Sequence, residues 1–102
     1  MKKIINGKKY DTETAKHVGS WSNGYSYSDF EYAKEKLYKK KTGEFFLYGS
    51  GGPASKYCEY IDGNTRSGGC DIIPLTENKA KKWAERHLDA DRYEEIFGEV
   101  EE

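Results

Sequence analysis

Apolar and polar residues alternate on both sides of the tripeptide Lys41-Thr42-Gly43, and this alternation predicts a β-hairpin around which the chain is organised. Gly43 suits the left-handed position that closes a short hairpin loop, because glycine adopts it without steric cost. Counting outward from the turn predicts four cross-strand pairs: Lys40 with Glu44, Tyr38 with Phe46, Leu37 with Leu47 and Lys36 with Tyr48. Because side chains on a strand alternate between its faces, one face of the hairpin is apolar and the other is basic and aromatic.

The second face is the clearest indication of binding in the sequence. We refer to it as the basic-aromatic face, and its members are Lys36, Tyr38, Lys40, Phe46 and Tyr48. Proteins hold single-stranded nucleic acid with this combination, because bases stack on rings while lysines neutralise phosphates. The alternative is that a helix, or the loop that contains Tyr25 and Tyr27, covers these rings, since a chain with few aliphatic residues needs its aromatic residues inside.

Shorter segments around the central hairpin predict the rest of a sheet. The dipeptide Asn6-Gly7 favours a two-residue turn and predicts an opening hairpin over residues 2–5 and 8–10. Further strands are expected at residues 12–21, from about residue 30 into the hairpin, at 57–61 and at 70–75. Glycine- and serine-rich loops are expected at residues 20–28, 49–56 and 62–69.

The C-terminal third predicts helices. Thr76 is a suitable N-cap, and an apolar stripe with helical spacing follows it: Ala80, Trp83, Ala84, His87 and Leu88. Asp91 with Glu94 resembles a capping box with Asp91 as the N-cap and predicts the start of a short second helix, which Gly98 ends. We therefore expect a single small domain, residues 1–102, of the α+β class. It consists of an antiparallel β-sheet built around the central hairpin (about 30–48), with one or two C-terminal helices packed on one face.

Charge is unevenly distributed along a chain whose net charge is only −1. Residues 1–41 carry ten lysines and five acids, whereas residues 89–102 carry seven acids and one arginine. The acidic end is either a flexible, solvated terminus or a set of carboxylates that occupies a phosphate-binding groove on another protein. In the second interpretation the partner-binding acids are Asp91, Glu94, Glu95 and Glu99.

Catalytic and metal chemistry have weak support in the sequence. Neither His17 nor His87 is paired with a nucleophile at a diagnostic spacing, so we do not expect an enzyme. Cys58 and Cys70 have eleven residues between them and form no C-x-x-C pair; they make a zinc site with the two histidines only if folding gathers all four. We predict no bound metal and no cofactor. The glycine-rich loop matches no phosphate-binding motif and is interpreted as a flexible connector.

The sequence contains no apolar run close to the ~20 residues that a membrane-spanning helix needs. Its first residues also lack the apolar segment of a signal peptide. We therefore expect a cytoplasmic protein whose two cysteines are free thiols.

The central segment LYKKKTGEFFLYG, residues 37–49, resembles a family of small proteins from phages and mobile elements of Gram-positive bacteria. The likeness continues through GG at 51–52, SKY at 55–57, IIPLT at 72–76, AE at 84–85 and IFG at 96–98. Some members of this family are similar to type II-A anti-CRISPR proteins. Ser50 departs from the family pattern, which often has an acid there, and the two cysteines are not family signatures.

This resemblance implies a stoichiometric inhibitor, without turnover, that acts in the cytoplasm of a bacterial host. Its partner would be a type II CRISPR effector nuclease or its guide complex, whose nucleic-acid channel is positively charged. The inhibitor would block engagement of the guide or of the target DNA. The alternative function is a small nucleic-acid-binding accessory protein of a phage or mobile element that uses the basic-aromatic face.

Overall fold

The computed structural model describes residues 1–26, 28–60 and 65–101, and these form an α+β fold, as predicted. The strands are β1 (Lys2–Ile5), β2 (Lys8–Asp11), β3 (Lys16–Ser22), β4 (Ala33–Lys39), β5 (Phe45–Gly51), β6 (Glu59–Tyr60), β7 (Arg66–Ser67) and β8 (Gly69–Leu75). The helices are α1 (Glu77–His87) and α2 (Ala90–Phe97). Within the described ranges, β3, β4, β5 and β8 form an antiparallel sheet in the order β3-β4-β5-β8, while β1-β2 and β6-β7 form separate two-stranded ladders.

The central hairpin has the predicted register. Lys36 pairs with Tyr48 and Tyr38 pairs with Phe46 across β4 and β5. The turn closes where the backbone N–H of Lys40 donates to the carbonyl of Glu44 at 2.7 Å, and Gly43 has the left-handed φ of 94° that the prediction required. The prediction that residues 70–75 close the sheet is also confirmed, because β8 pairs along the whole of β5.

Both helices pack on one face of the sheet, which we call the helix face. The buried core between them holds Val18, Leu37, Phe45, Leu47, Ala80, Trp83 and Ala84. Thr76 caps α1 as predicted, since its hydroxyl accepts from the N–H of Lys79 at 3.2 Å. The predicted cap of α2 is wrong: the carboxylate of Asp89 accepts from the N–H of Arg92 at 2.8 Å, and Asp91 already lies within the first turn.

The opening hairpin β1-β2 covers the other face of the sheet, which we call the hairpin face. Its pairing matches the prediction from Asn6-Gly7. Tyr10 packs edge-on against Phe46, with ring centroids 5.5 Å apart, and belongs to a second buried core. Ion pairs tie the hairpin to the rest of the chain at two places: Lys3 with Asp71 at 2.6 Å, and Lys8 with Glu44 at 3.1 Å.

Several predicted boundaries are wrong. Residues 12–15 form a turn, so β3 begins at Lys16, and β4 begins at Ala33 rather than near residue 30. Strand β5 extends to Gly51, inside the predicted loop, because Gly51 pairs with Ala33 on one side and Gly69 on the other. Cross-strand hydrogen bonding on both sides overrides the low strand propensity of glycine.

The other segments agree with the prediction in part. The strand expected over 57–61 has only two residues, β6, within the described part of the chain, and residues 61–64 lie outside it. The loop expected over 62–69 contains β7. Neither helix of the described chain is long and apolar enough to span a membrane.

Candidate functional site

Two rings of the basic-aromatic face are buried in the structure. Phe46 has no exposed surface and Tyr38 is 8% exposed. The two rings stack on each other with centroids 5.3 Å apart and planes 9° from parallel, and the opening hairpin covers them. They are therefore not available to stack on bases. The sequence suggested the loop that contains Tyr25 and Tyr27 as one possible cover for these rings. In the structure Tyr25 is exposed, and Tyr27 lies outside the described residues.

The ammonium group of Lys40 contacts other side chains of the protein and is largely shielded from solvent. It lies 4.1 Å from the ring centroid of Tyr10 and 3.4 Å from the carboxylate of Glu44. This lysine helps to fasten the opening hairpin. Of the five predicted residues, only Lys36 and Tyr48 lie on the part of the hairpin face that β1-β2 leaves accessible, and both are half-buried.

The accessible part of the hairpin face consists of two rows of side chains that cross the sheet. One row is Ser20, Lys36 and Tyr48, and the next is Ser22, Lys34, Ser50 and Cys70. We call these two rows the open end of the hairpin face. A pocket of about 560 Å³ lies beside them. It is lined in part by Phe30, Tyr32, Tyr48, Ser50 and Cys70.

The predicted acidic residues lie on the opposite side of the molecule. Asp91, Glu94 and Glu95 are exposed on α2, and Glu99 is exposed just beyond it. Glu95 forms an ion pair with Arg92 at 2.8 Å. Since the same arginine donates through Nε to the carbonyl of Val18 at 2.8 Å, it is fixed in place and holds Glu95 against α2.

A groove runs between α1, α2 and the residues that follow α2. Its volume is about 360 Å³, and we call it the acidic groove: Glu85, Leu88, Asp89, Ala90, Tyr93, Glu94 and Val100. Val100, which lines the groove, is 61% exposed. The groove therefore combines apolar side chains with the carboxylates of Glu85, Asp89 and Glu94, a combination that the charge pattern alone did not reveal. Of the four predicted acids, Glu94 lines it.

A buried carboxylate in the core was not singled out in the sequence analysis. Glu35 is 2% exposed on the helix face of β4. It accepts hydrogen bonds from the indole N–H of Trp83 at 3.0 Å and from the hydroxyl of Tyr57, and it forms an ion pair with Lys56 at 2.7 Å. The sequence contains one sign of this buried carboxylate. Glu35 is a charged residue between Ala33 and Leu37, on the apolar side of a predicted strand.

The neighbours of Glu35 determine its charge state. Burial alone raises the pKa of this carboxyl, but the hydrogen bonds from Lys56, Tyr57 and Trp83 outweigh burial and hold its pKa below the usual range. Burial and the adjacent carboxylate raise the pKa of Tyr57. Glu35 is therefore an anion surrounded by hydrogen-bond donors. These contacts help to hold α1, through Trp83, and the segment around Tyr57 on the sheet.

His87 lies at the edge of the same cluster. Its ring is 4.5 Å from that of Trp21 and 5.2 Å from that of Trp83, measured between centroids. Burial lowers the pKa of His87. The packed position expected from the apolar stripe is confirmed.

The four residues considered for zinc are not brought together. His17 lies on the hairpin face, where it contacts Ser20 at 2.8 Å and the ring of Tyr38, whereas His87 lies on the helix face. Cys58 and Cys70 are free thiols that line one hollow. Over residues 1–26, 28–60 and 65–101, no three His, Cys, Asp or Glu side chains are grouped so that they could hold a metal ion.

Comparison with protein-family models, with curated proteins and with solved structures gives no match. The functional argument therefore rests on the chemistry of two surfaces on opposite sides of the sheet. One is the acidic groove on the helix side, and the other is the open end of the hairpin face. Their opposite charge favours two different kinds of partner.

Proposed function

We propose that this protein is a stoichiometric inhibitor that binds a type II CRISPR effector nuclease through its acidic groove. It acts without turnover, by occupying a positively charged surface that the effector needs for its guide or target DNA. The family resemblance of residues 37–49 supports the choice of partner. The geometry of the acidic groove supports the mode of binding.

The observation that carries this proposal is the combination of apolar side chains and carboxylates in one groove. Protein interfaces characteristically combine apolar and polar contacts in this way. Here Leu88, Tyr93 and Val100 are the apolar members, and Glu85, Asp89 and Glu94 carry the carboxylates. A complementary partner presents an apolar side chain among basic ones. The nucleic-acid channel of an RNA-guided nuclease is rich in Lys and Arg.

The acids of α2 differ in whether their carboxylates are already in an ion pair within the protein. Among the described residues, Asp91 and Glu94 have no cationic side chain within ion-pair distance, whereas Glu95 is paired with Arg92. An unpaired carboxylate attracts a basic partner more strongly, because its charge is not already neutralised. Asp91 and Glu94 are therefore expected to contribute most to partner binding, and Glu95 less.

Target-DNA cleavage by a purified, guide-loaded type II effector, with and without the protein, tests this proposal. The double variant Asp91→Asn/Glu94→Gln keeps side-chain shape and removes two charges from α2, of which Glu94 lines the groove and Asp91 lies in the first turn of the same helix. We expect it to inhibit roughly tenfold more weakly, equivalent to about 1.4 kcal/mol, and to be less sensitive to salt. Val100→Ser should weaken inhibition separately, because it removes one of the apolar side chains of the groove.

A matched control separates the groove from overall charge. Glu13→Gln/Glu59→Gln also removes two exposed carboxylates, but away from α2, and it should inhibit like the wild type. Adding the protein before or after guide loading distinguishes a block of guide binding from a block of DNA binding. Equal inhibition by the two double variants would contradict the acidic-groove mechanism, and no inhibition of several type II effectors would contradict the function itself.

A further inference from the structure

Phe30 presents a ring to solvent from a backbone that is held in place. The side chain is 71% exposed. Its own carbonyl accepts from the N–H of Ala54 at 2.8 Å, and the carbonyl of Tyr32 accepts from the N–H of Gly52 at 2.8 Å. These hydrogen bonds join the segment before β4 to the segment after β5, so the exposed ring stands on a fixed support.

Gly52 makes this support possible through close contact. A Cβ at residue 52 would lie 2.6 Å from the carbonyl oxygens of both Asp29 and Phe30. Real Cβ atoms do not approach backbone oxygens so closely, so only glycine allows the two segments to meet here. The sequence predicts a flexible connector for this glycine-rich stretch. At residue 52, however, glycine is required because two backbone segments pack closely there.

The pocket beside Phe30 is suited to a flat, polar ring. The residues that line it include the aromatic residues Phe30, Tyr32 and Tyr48 and the polar residues Ser50 and Cys70. A hydrogen bond with the neighbouring Cys70 thiol, together with burial, raises the pKa of the Tyr48 phenol. Asp29 also lines the pocket, but its carboxylate already accepts from the N–H of Glu31 at 2.9 Å.

Two lysines lie next to this pocket on the same face of the sheet. Lys36 is directly opposite Tyr48, and Lys34 is directly opposite Ser50. Within the described ranges, neither lysine is paired with a carboxylate. Two residues along one strand separate their backbones by about 7 Å. Two unpaired ammonium groups in a line match a ligand with repeated negative charge, and Ser20 and Ser22 add hydroxyl donors beside them.

We propose that the open end of the hairpin face binds single-stranded nucleic acid. A base enters the pocket and stacks on Phe30 and Tyr48, while consecutive backbone phosphates contact Lys36 and Lys34. Aromatic stacking over a basic surface is the way in which proteins hold single strands. The surface is separate from the acidic groove, so this proposal does not depend on the proposed inhibition.

Fluorescence anisotropy of labelled single-stranded RNA and DNA oligonucleotides of mixed sequence, titrated with the protein at low salt, tests the proposal. We expect binding that weakens as salt rises. Phe30→Ala should reduce affinity roughly fivefold or more, the range found for loss of one base–ring stack. Lys34→Gln/Lys36→Gln should weaken binding and lower the slope of log affinity against log salt by about 1.4, or about 0.7 per phosphate contact.

The control is Lys79→Gln/Lys82→Gln, which removes two exposed lysines from α1 on the other side of the sheet. It should bind like the wild type, and unchanged near-ultraviolet circular dichroism should verify that each variant is folded. Absence of binding to both oligonucleotides at low salt would overturn the proposal. Equal loss in the two lysine variants, or duplex DNA binding as tightly as single strands without dependence on Phe30, would overturn it as well.

Discussion

The indole N–H of Trp83 donates a hydrogen bond of 3.0 Å to Oε1 of Glu35 and so joins α1 to β4 within the core. The other carboxylate oxygen of Glu35 receives the hydroxyl of Tyr57 and the ammonium group of Lys56. A buried charge is tolerated only when it is paired and hydrogen-bonded. This carboxylate meets both conditions, and its partners come from two separate parts of the chain, residues 56–57 and Trp83.

The first prediction concerns the charge of Glu35. Glu35→Gln keeps the shape of the side chain but leaves Tyr57, Trp83 and Lys56 without an anionic acceptor. We expect the free energy of unfolding to fall by about 3 kcal/mol, because breaking a buried charged network leaves unsatisfied donors. Urea unfolding followed by tryptophan fluorescence measures it. Glu13→Gln, at an exposed turn, should change stability by less than about 0.5 kcal/mol; a similarly small change for Glu35→Gln would contradict the prediction.

The second prediction concerns acid sensitivity. The pKa of Glu35 is lower in the folded protein than in the unfolded chain, since its hydrogen bonds favour the charged form. Its contribution to stability is therefore fully present above about pH 4.3, the ordinary value for Glu, and is lost as pH falls through the lower folded-state pKa. The difference in stability between wild type and Glu35→Gln should shrink below that pH. Urea unfolding at a series of pH values measures it, and a constant difference down to pH 2 would rule out this linkage.

The third prediction concerns Gly49, whose Cα lies against the ring of Tyr57. A Cβ at residue 49 would overlap that ring, so Gly49→Ala must displace Tyr57 from Glu35. We expect a loss of about 2–3 kcal/mol in the free energy of unfolding. In a Tyr57→Ala background the same substitution should cost less than about 1 kcal/mol, because the obstructing ring is absent. A double-mutant cycle measures the coupling, and equal costs in both backgrounds would exclude this contact as the cause.

The fourth prediction distinguishes two neighbouring acids of α2. Asp89→Ala removes the side chain that caps the helix and should lower the free energy of unfolding by about 1 kcal/mol. Asp91→Ala leaves the cap intact and should cost less than about 0.5 kcal/mol, since only a surface charge near the helix start is lost. Thermal unfolding of the two variants compares them. A larger loss of stability for Asp91→Ala than for Asp89→Ala would instead identify Asp91 as the N-cap, as the sequence suggested.

Local patterns in the sequence predicted the hairpins well. The turn at Gly43 sets the register of Lys36 with Tyr48 and of Tyr38 with Phe46, because a tight turn determines the residues that face each other. The helix boundary at Asp89 was missed, since both Asp89 and Asp91 are good caps and only the folded backbone selects one. Glu35 was missed because a single charged residue within a strand pattern does not identify its donors, which come from residues 22 and 48 positions away.

The sequence by itself determined the α+β class, the central hairpin with its two chemically different faces, the first helix cap and the concentration of acids near the C-terminal end. Each of these depends on residues that are close together along the chain. Only the tertiary structure decided which side chains are accessible. It buried Tyr38 and Phe46 under the opening hairpin, left Phe30 exposed at the same end of the sheet as Lys34 and Lys36, and brought acids of both helices together with apolar side chains in one groove. Burial depends on which distant segment packs over a face, and the alternation of residues along one strand contains no information about that segment.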